Sequence, residues 1–107
     1  FYDRNAFWHN HLPHNLKIIL FNNHGGGIFG MIDGPSRQPE LQEFFVTAQK
    51  LTAEHLVKEF ELGYKLCTNI FELNNGINEL MKPNKKPFIL EIETLMDVNK
   101  RVYKQMI

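Results

Sequence analysis

The 107-residue sequence lacks most of the features that mark secreted, membrane-spanning or nucleic-acid-binding proteins. It has one cysteine, Cys67, so no disulfide can form within the chain, and we expect a reducing, cytoplasmic environment. Twelve basic residues balance twelve acidic ones, which leaves no net charge to attract nucleic acid or an anionic membrane. Its apolar runs are too short to cross a bilayer, and it shows no secretory leader pattern.

The composition is that of an ordinary globular protein, with 43% hydrophobic and 22% charged residues. A chain of this length forms one domain or part of one. It begins at Phe1 and not at a methionine, so we expect it to be a piece of a longer protein.

Short apolar runs alternate with amphipathic runs along the chain. The apolar runs predict three strands, at residues 16–21, 64–67 and 88–93, of which the first reads as buried. Because helical segments separate the strands, we expect parallel pairing through right-handed crossovers. The sequence therefore predicts an α/β fold: a parallel sheet flanked by helices, with Cys67 as a buried structural thiol.

Four helices are expected, each from its capping residues and apolar spacing. Asp3 is predicted to cap a short first helix, Thr52 a second that Gly63 stops, and Asp97 the last. Asn69 followed by Glu72 is a capping-box pattern and opens the third helix, which Gly76 weakens and Pro83 ends. The predicted buried positions are Ala53, Leu56, Val57 and Phe60 in the second helix, Ile70, Leu73, Ile77 and Leu80 in the third, and Val98, Val102 and Met106 in the last.

A glycine-rich segment directly after the first strand is the strongest functional signal. This segment, which we call the lip (residues 22–29), reads Asn22-Asn23-His24-Gly25-Gly26-Gly27-Ile28-Phe29. Open α/β sheets bind ligands at the carboxyl ends of their strands. Glycines let the backbone approach a ligand, and amide oxygens suit Mg²⁺. The lip thus indicates phosphate or metal binding, although the same residues also make an ordinary turn.

Neither common phosphate-binding fingerprint is present, since the lip matches neither the Walker A spacing nor Gly-x-Gly-x-x-Gly. His24 lies inside the lip, where it either polarises a substrate or caps the turn. His9, His11 and His14 lack the spacing of a zinc site, and we interpret them as solvated.

Three other groups have simple structural interpretations. Glu91 and Glu93 share one strand face, and a solvated or capped sheet face explains them better than acid–base chemistry. Lys82, Lys85 and Lys86 form a basic, solvated turn. The pair Phe44-Phe45 either covers a ligand or anchors a loop. The preceding segment, residues 36–43, reads as a loop with one helical turn.

The Asn22-Asn23 pair after an apolar strand resembles the closing half of the thiamine diphosphate motif. Its continuation, Asn-Asn-x-Gly-Gly-x-Ile-Phe, resembles the 2-succinyl-5-enolpyruvyl-6-hydroxy-3-cyclohexene-1-carboxylate synthase family of menaquinone biosynthesis. Residues 1–6, residues 60–64 and the third strand also fit that family. The resemblance covers essentially the whole chain, residues 1–107, as the incomplete C-terminal part of a thiamine diphosphate-binding domain.

The resemblance implies thiamine diphosphate and Mg²⁺ as cofactors. By position, the Asn23 side chain and the Gly25 carbonyl match magnesium ligands, and Ile28 and Phe29 match residues beside the cofactor and substrate. The cofactor-binding set that it implies is Asn22, Asn23, Gly25, Gly26, Ile28 and Phe29. The implied reaction is decarboxylation of 2-oxoglutarate and addition of the succinyl semialdehyde unit to isochorismate, in a homodimer or homotetramer.

The chain also departs from the family pattern. The metal-binding aspartate of the upstream Gly-Asp pair is absent, because Asp3 follows Tyr2 and not a glycine. The glutamate that activates the cofactor belongs to a domain that this chain does not contain. We therefore expect half a metal site and no turnover by the chain alone. Two alternatives are a fragment of another thiamine-dependent decarboxylase or carboligase, such as an acetolactate-synthase-like enzyme, and a non-enzymatic α/β ligand-binding module.

Overall fold

The computed structural model of the chain describes residues 3–107, so Phe1 and Tyr2, the start of the N-terminal resemblance, lie outside the described residues. These residues form two compact units. The first contains the described residues up to Phe21 together with Thr52–Glu93, and the second contains Asn22–Leu51 and Thr94–Ile107. Between residues 3 and 107, no helix is long and apolar enough to cross a membrane.

Three strands form a parallel sheet, as the sequence predicts. They are β1 (Lys17–Asn22), β2 (Gly63–Cys67) and β3 (Phe88–Glu93), in the spatial order β1-β3-β2. β2 and β3 pair in parallel from Gly63 opposite Phe88 to Cys67 opposite Ile92. The Phe88 amide donates to the Leu16 carbonyl at 3.0 Å, just before β1. With its flanking helices, this sheet confirms the α/β prediction.

Three α-helices accompany the sheet: α1 (Glu54–Glu59), α2 (Ile70–Met81) and α3 (Met96–Met106). The predicted caps are partly wrong. Residues Arg4–Phe7 form only a 3-10 helix, and Asp3 makes no capping hydrogen bond. Leu95, and not Asp97, is the N-cap of α3. The Thr52 hydroxyl does accept the Glu54 amide, at 3.4 Å, although Ala53 is the N-cap of α1.

Gly63 does not stop α1 but begins β2. The left-handed backbone after α1 belongs to Glu61, with φ of 54°. Glycine is required at position 63 for a different reason, since a Cβ there would lie 2.6 Å from the Phe88 ring. Close contact between neighbouring strands therefore explains this glycine.

Asn69 is confirmed as the N-cap of α2, and Glu72 bonds back to its side chain and not to its backbone amide. Asn69 Oδ1 accepts the Glu72 amide at 2.9 Å, and the Glu72 carboxylate accepts the Asn69 side-chain amide at 2.7 Å. The predicted buried face is only half right, because Ile70 and Ile77 are 71% and 42% exposed. The sheet contacts of α2 run instead through Leu73, Gly76 and Leu80, which lie three to four residues apart.

The core lies in two clusters within the first unit. One joins α1 to the sheet and contains Ala53, Leu56, Val57, Leu62 and Ile89. The other joins α2 to the sheet and contains Cys67, Leu80, Phe88 and Leu90. Cys67 is 1% exposed, donates to the Glu72 carbonyl at 3.2 Å, and has a thiol pKa that burial raises. It is the structural thiol that the sequence predicts.

At Glu91 the strand face is capped and not solvated, because its side chain is fully buried. One carboxylate oxygen accepts the Tyr64 hydroxyl at 2.7 Å and the Ala53 amide at 2.8 Å. Burial, and then the hydrogen bond to Glu91, raise the pKa of Tyr64 above its ordinary value. The carboxylate therefore ties the start of α1 to β2 across β3. Its role in this unit is structural.

β1 is not the buried strand that its composition suggests. Its residues alternate, and Ile19 and Phe21 are 51% and 70% exposed. β1 is also an edge strand of the described sheet. An edge strand with two exposed apolar side chains is a surface that favours association with another chain.

The close contact of Gly76 with the sheet generates a first prediction. A Cβ at this position would lie 2.6 Å from Leu90 Cδ1 and 2.7 Å from Cys67 Sγ. We expect Gly76→Ala to destabilise the chain, because overpacking costs about 1–3 kcal/mol, more than the ~1 kcal/mol that alanine gains in helix propensity. The midpoint of urea unfolding, followed by far-ultraviolet circular dichroism, measures the difference. Asn75→Ala, at an exposed neighbouring position, is the matched control and should not lower the midpoint. A Gly76→Ala midpoint at or above that control would contradict the prediction.

The exposed face of β1 generates a second prediction. We expect the 107-residue chain to self-associate in solution, giving a light-scattering mass above the 12.6 kDa of one copy. Phe21→Lys should reduce both this mass and the binding of a dye that reports exposed apolar surface. Trp8→Lys makes the same change at an exposed residue outside β1 and should have the smaller effect. A sharp monomer peak for the unchanged chain, without dye binding, would refute the idea.

Candidate functional site

The lip begins with Asn22, the last residue of β1, whose side chain is fully engaged in hydrogen bonds. It is 4% exposed. Its Nδ2 donates to the Leu51 carbonyl at 2.8 Å, and its Oδ1 accepts the His24 amide at 3.0 Å. Its main-chain carbonyl accepts the Thr94 amide at 2.9 Å. Asn22 thus holds the backbone of the lip in place, and its amide group is committed to protein partners.

Asn23 and Gly25, the two predicted metal ligands, lie in one tight turn. Asn23 Oδ1 accepts the Gly25 amide at 3.2 Å, and the Gly25 carbonyl accepts the Gly27 amide at 3.1 Å. Each of these oxygens has a second lone pair. Gly27 leaves room for the Asn23 side chain, since a Cβ there would lie 2.8 Å from Asn23 Nδ2.

These two oxygens suit Mg²⁺ as part of a ligand set. An amide oxygen and a backbone carbonyl are hard, neutral donors, and Mg²⁺ uses few protein ligands when phosphate oxygens supply the others. Neither oxygen carries a charge, however. Across residues 3–107 there is no cluster of three histidine, cysteine, aspartate or glutamate side chains that would complete a metal site. The donors that this turn offers to a hard cation are thus two neutral oxygens, one from Asn23 and one from Gly25.

Gly25 and Gly26 are required by the packing behind the lip. A Cβ on Gly25 would lie 2.9 Å from both the Val46 carbonyl and Met96 Cε, and one on Gly26 would lie 2.8 Å from the Phe45 carbonyl. The Gly26 amide also donates to the Val46 carbonyl at 2.8 Å. Glycine here permits close contact between two backbone segments.

The segment behind the lip, residues 35–51, has more regular structure than the sequence suggests. Residues predicted as a loop form a 3-10 helix, Pro35–Arg37, and one turn of π-helix, Leu41–Val46. The Gln49 amide donates to the His24 carbonyl at 2.9 Å, and His24 itself adopts a left-handed backbone with φ of 59°. These contacts are with residues distant in sequence, and no local periodicity indicates them.

Ile28 and Phe29 follow the lip's turn on a 3-10 helix, Gly27–Gly30. Ile28 is 62% exposed. The Phe29 ring packs against Phe45, with ring centroids 5.5 Å apart. Of the two phenylalanines whose role the sequence leaves open, Phe45 thus anchors the segment, whereas Phe44 is 68% exposed. The lip therefore presents an apolar side chain beside its polar turn.

The first turns of α3 also contact the lip, which the sequence does not indicate. Met96 lies against Gly25 and Gly27, and Lys100, one turn later, lies against Gly30. Asn99 Nδ2 donates to the Thr94 hydroxyl at 2.9 Å, just before the helix. α3 thus borders the lip along the face that carries residues 96 and 100.

The remaining candidates stay outside this arrangement. His9 and His11 stack on each other, with His9 partly and His11 fully exposed, and His14 is exposed. Lys82, Lys85 and Lys86 are exposed, as expected for a solvated turn.

Comparison with known proteins identifies the relatives of this chain, although no family model matches it. It is 52% identical over 105 residues to the 2-succinyl-5-enolpyruvyl-6-hydroxy-3-cyclohexene-1-carboxylate synthase of Cytophaga hutchinsonii. The proteins of the same name from Flavobacterium johnsoniae and Desulfotalea psychrophila are 40% and 34% identical to it. These matches cover 98%, 97% and 94% of the chain, but only 19%, 19% and 18% of the relatives.

The chain thus spans about a fifth of the length of its relatives, 19% for the first of them. The similarity extends over nearly all of the chain, including the lip and the three strands that support the fold. Over nearly all of its length the chain is therefore similar to one part of the 2-succinyl-5-enolpyruvyl-6-hydroxy-3-cyclohexene-1-carboxylate synthases.

Proposed function

We propose that this chain is the C-terminal part of the thiamine diphosphate-binding domain of a longer synthase of menaquinone biosynthesis. The proposed reaction decarboxylates 2-oxoglutarate and adds the succinyl semialdehyde unit to isochorismate. The observation that carries the proposal is the tight turn at the end of a parallel strand, in which Asn23 and Gly25 each present an oxygen. The 52% identity to a relative bearing the synthase name supports the choice of reaction.

In this proposal Asn23 Oδ1 and the Gly25 carbonyl are magnesium ligands. They hold the ion that binds the cofactor's diphosphate. Thiamine diphosphate supplies, when bound, the thiazolium that accepts the electrons released as the 2-oxo acid loses carbon dioxide. The remaining magnesium ligands include a carboxylate outside this chain, because the lip offers only neutral oxygens.

Asn22 belongs to the same site as a positioning residue. Its side chain is buried and bonded to the Leu51 carbonyl and the His24 amide. We infer that it fixes the direction in which Asn23 and Gly25 face, and does not touch the metal. Gly26 has a similar role, because its close contact with residues 45 and 46 supports the turn from behind.

Ile28 and Phe29 form the proposed apolar wall beside the reacting groups. Ile28 is available for contact, since most of its side chain is exposed in this chain. Phe29 is held by Phe45 and keeps the wall in position. An apolar wall excludes water from the reacting centre and lowers the local dielectric constant.

The active protein is proposed to be a soluble homodimer or homotetramer in the cytoplasm. Because the chain carries only part of the metal site, we propose that it does not turn over substrate by itself. Activity then requires the rest of the synthase.

A chimera provides the sharpest test of the proposed reaction. In it, this chain replaces the matching 105 residues of the Cytophaga hutchinsonii protein. We expect the chimera to convert 2-oxoglutarate and isochorismate to the synthase product in the presence of Mg²⁺ and thiamine diphosphate. Within it, Asn23→Ala should raise the Mg²⁺ concentration for half-maximal activity at least about tenfold, because a metal contact is lost.

Two variants control this experiment. Asn23→Asp keeps an oxygen at the same position and should retain more activity than Asn23→Ala. Asn78→Ala, on the exposed side of α2, should leave the Mg²⁺ dependence unchanged. An inactive chimera, a different product, or an Mg²⁺ dependence that Asn23→Ala does not alter would each count against the proposal.

The neutral ligand set generates a further prediction for the chain alone. We expect calorimetric titration with thiamine diphosphate and Mg²⁺ to give at most weak binding, in the millimolar range or above, which corresponds to no more than about 4 kcal/mol. Titration of the active chimera under the same conditions is the positive control. Micromolar affinity of the isolated chain would mean that its own residues complete the site, which would refute the half-site proposal.

A further inference from the structure

Lys100 is a cation beside the lip that has no counter-ion among residues 3–107. Its stem lies against the 3-10 helix Gly27–Gly30, with Cδ 4.0 Å from where a Gly30 Cβ would be. Its side chain is half-buried. Lys100 takes part in none of the ion pairs among residues 3–107, whereas Arg37, the other cation close in sequence to this helix, is paired with Asp33.

The helix α3 determines where this lysine lies. Residues 96 and 100 are four apart and so occupy the same helix face. Met96 packs against Gly25 and Gly27, at the proposed metal-binding turn, and Lys100 packs one turn further along, against Gly30. Lys100 therefore lies at the Gly30 end of the 3-10 helix that carries Ile28 and Phe29, one turn of α3 away from the proposed metal-binding turn.

Gly30 leaves space for the Lys100 side chain because glycine has no Cβ. Outside Gly30's own helix and its chain neighbours, the one atom of residues 3–107 that comes within 4 Å of the position of a Gly30 Cβ is Lys100 Cδ. A lysine stem that lies along such a surface keeps its ammonium group at the water boundary, where it remains free to bind an anion. An unpaired ammonium beside an apolar wall suits a carboxylate whose other end lies against that wall.

We propose that Lys100 binds a carboxylate of the anionic substrate and thereby contributes to substrate specificity. This inference rests on the proposed function, in which both substrates carry carboxylates. The two sources of that carboxylate are the 2-oxo dicarboxylic acid and the cyclic acceptor, and the test separates them.

The test uses the chimera described above. Lys100→Gln removes the charge but keeps a polar side chain of similar length, and we expect it to raise KM for one substrate at least about tenfold while kcat changes less than about threefold. Lys100→Arg should restore most of the affinity. Lys104→Gln, on an exposed residue one turn further along α3, is the matched control and should leave both KM values unchanged.

A second measurement uses a substrate analogue that the chimera cannot decarboxylate. Glutarate carries two carboxylates but no keto group, and its inhibition constant against 2-oxoglutarate should rise in Lys100→Gln if the oxo acid is the source. A rise in KM for isochorismate alone, with glutarate inhibition unchanged, would assign the lysine to the acceptor. A merely structural role would instead lower the thermal unfolding midpoint or change the Mg²⁺ dependence.

The outcomes also separate this inference from the proposed function. If the chimera is active and responds to Asn23→Ala, but both KM values and glutarate inhibition are unchanged in Lys100→Gln, only the role of Lys100 is refuted. If the chimera does not form product, the proposed function fails and the inference fails with it.

Discussion

Asn22 joins three segments of the second unit through one buried residue. Its amide group bonds to Leu51 and His24, and its main-chain carbonyl bonds to Thr94, which precedes α3. A buried amide left without these partners costs about 1–3 kcal/mol for each group, so the three segments keep their relative positions. The positions of Asn23 and Gly25 in the turn, and of Met96 behind it, depend on this arrangement. In the proposed site, Asn22 therefore organises the turn without itself having to contact the metal or the substrate.

The glycines of the lip follow from the same constraint. Once Asn22 brings the segment at residues 45–51 behind the turn, Gly25 and Gly26 lie too close to the carbonyls of Val46 and Phe45 for any Cβ. A glycine-rich segment after a strand is commonly interpreted as room for a ligand. Here protein atoms occupy the space beside positions 25 and 26. Only at position 27 does the missing Cβ leave space for the side chain of Asn23, a residue proposed to bind magnesium. Packing and ligand binding thus require glycine at neighbouring positions for separate reasons.

The sequence predicted those parts of the structure that depend on local pattern. The three strands and the Asn69 N-cap of α2 follow from short-range spacing, and both were found. The burial of Glu91 did not follow, because its partners Tyr64 and Ala53 lie 27 and 38 residues away. The helical turn expected within residues 36–43 was found at residues 41–46 instead, because the contacts that position it, with Gly26 and Phe29, are distant in sequence. No local sequence pattern indicated that Lys100 lies beside the 3-10 helix Gly27–Gly30.

The charges around the lip favour anionic ligands over a metal ion alone. Asn23 and Gly25 offer neutral oxygens, which do not compensate the charge of Mg²⁺, and Lys100 adds a positive charge near the same segment. Coulomb repulsion between a dication and a lysine costs energy unless anions lie between or beside them. A diphosphate on one side and a substrate carboxylate on the other would supply that negative charge. In the proposed function the lip would therefore bind a metal together with an anionic cofactor, because each without the other leaves charge uncompensated.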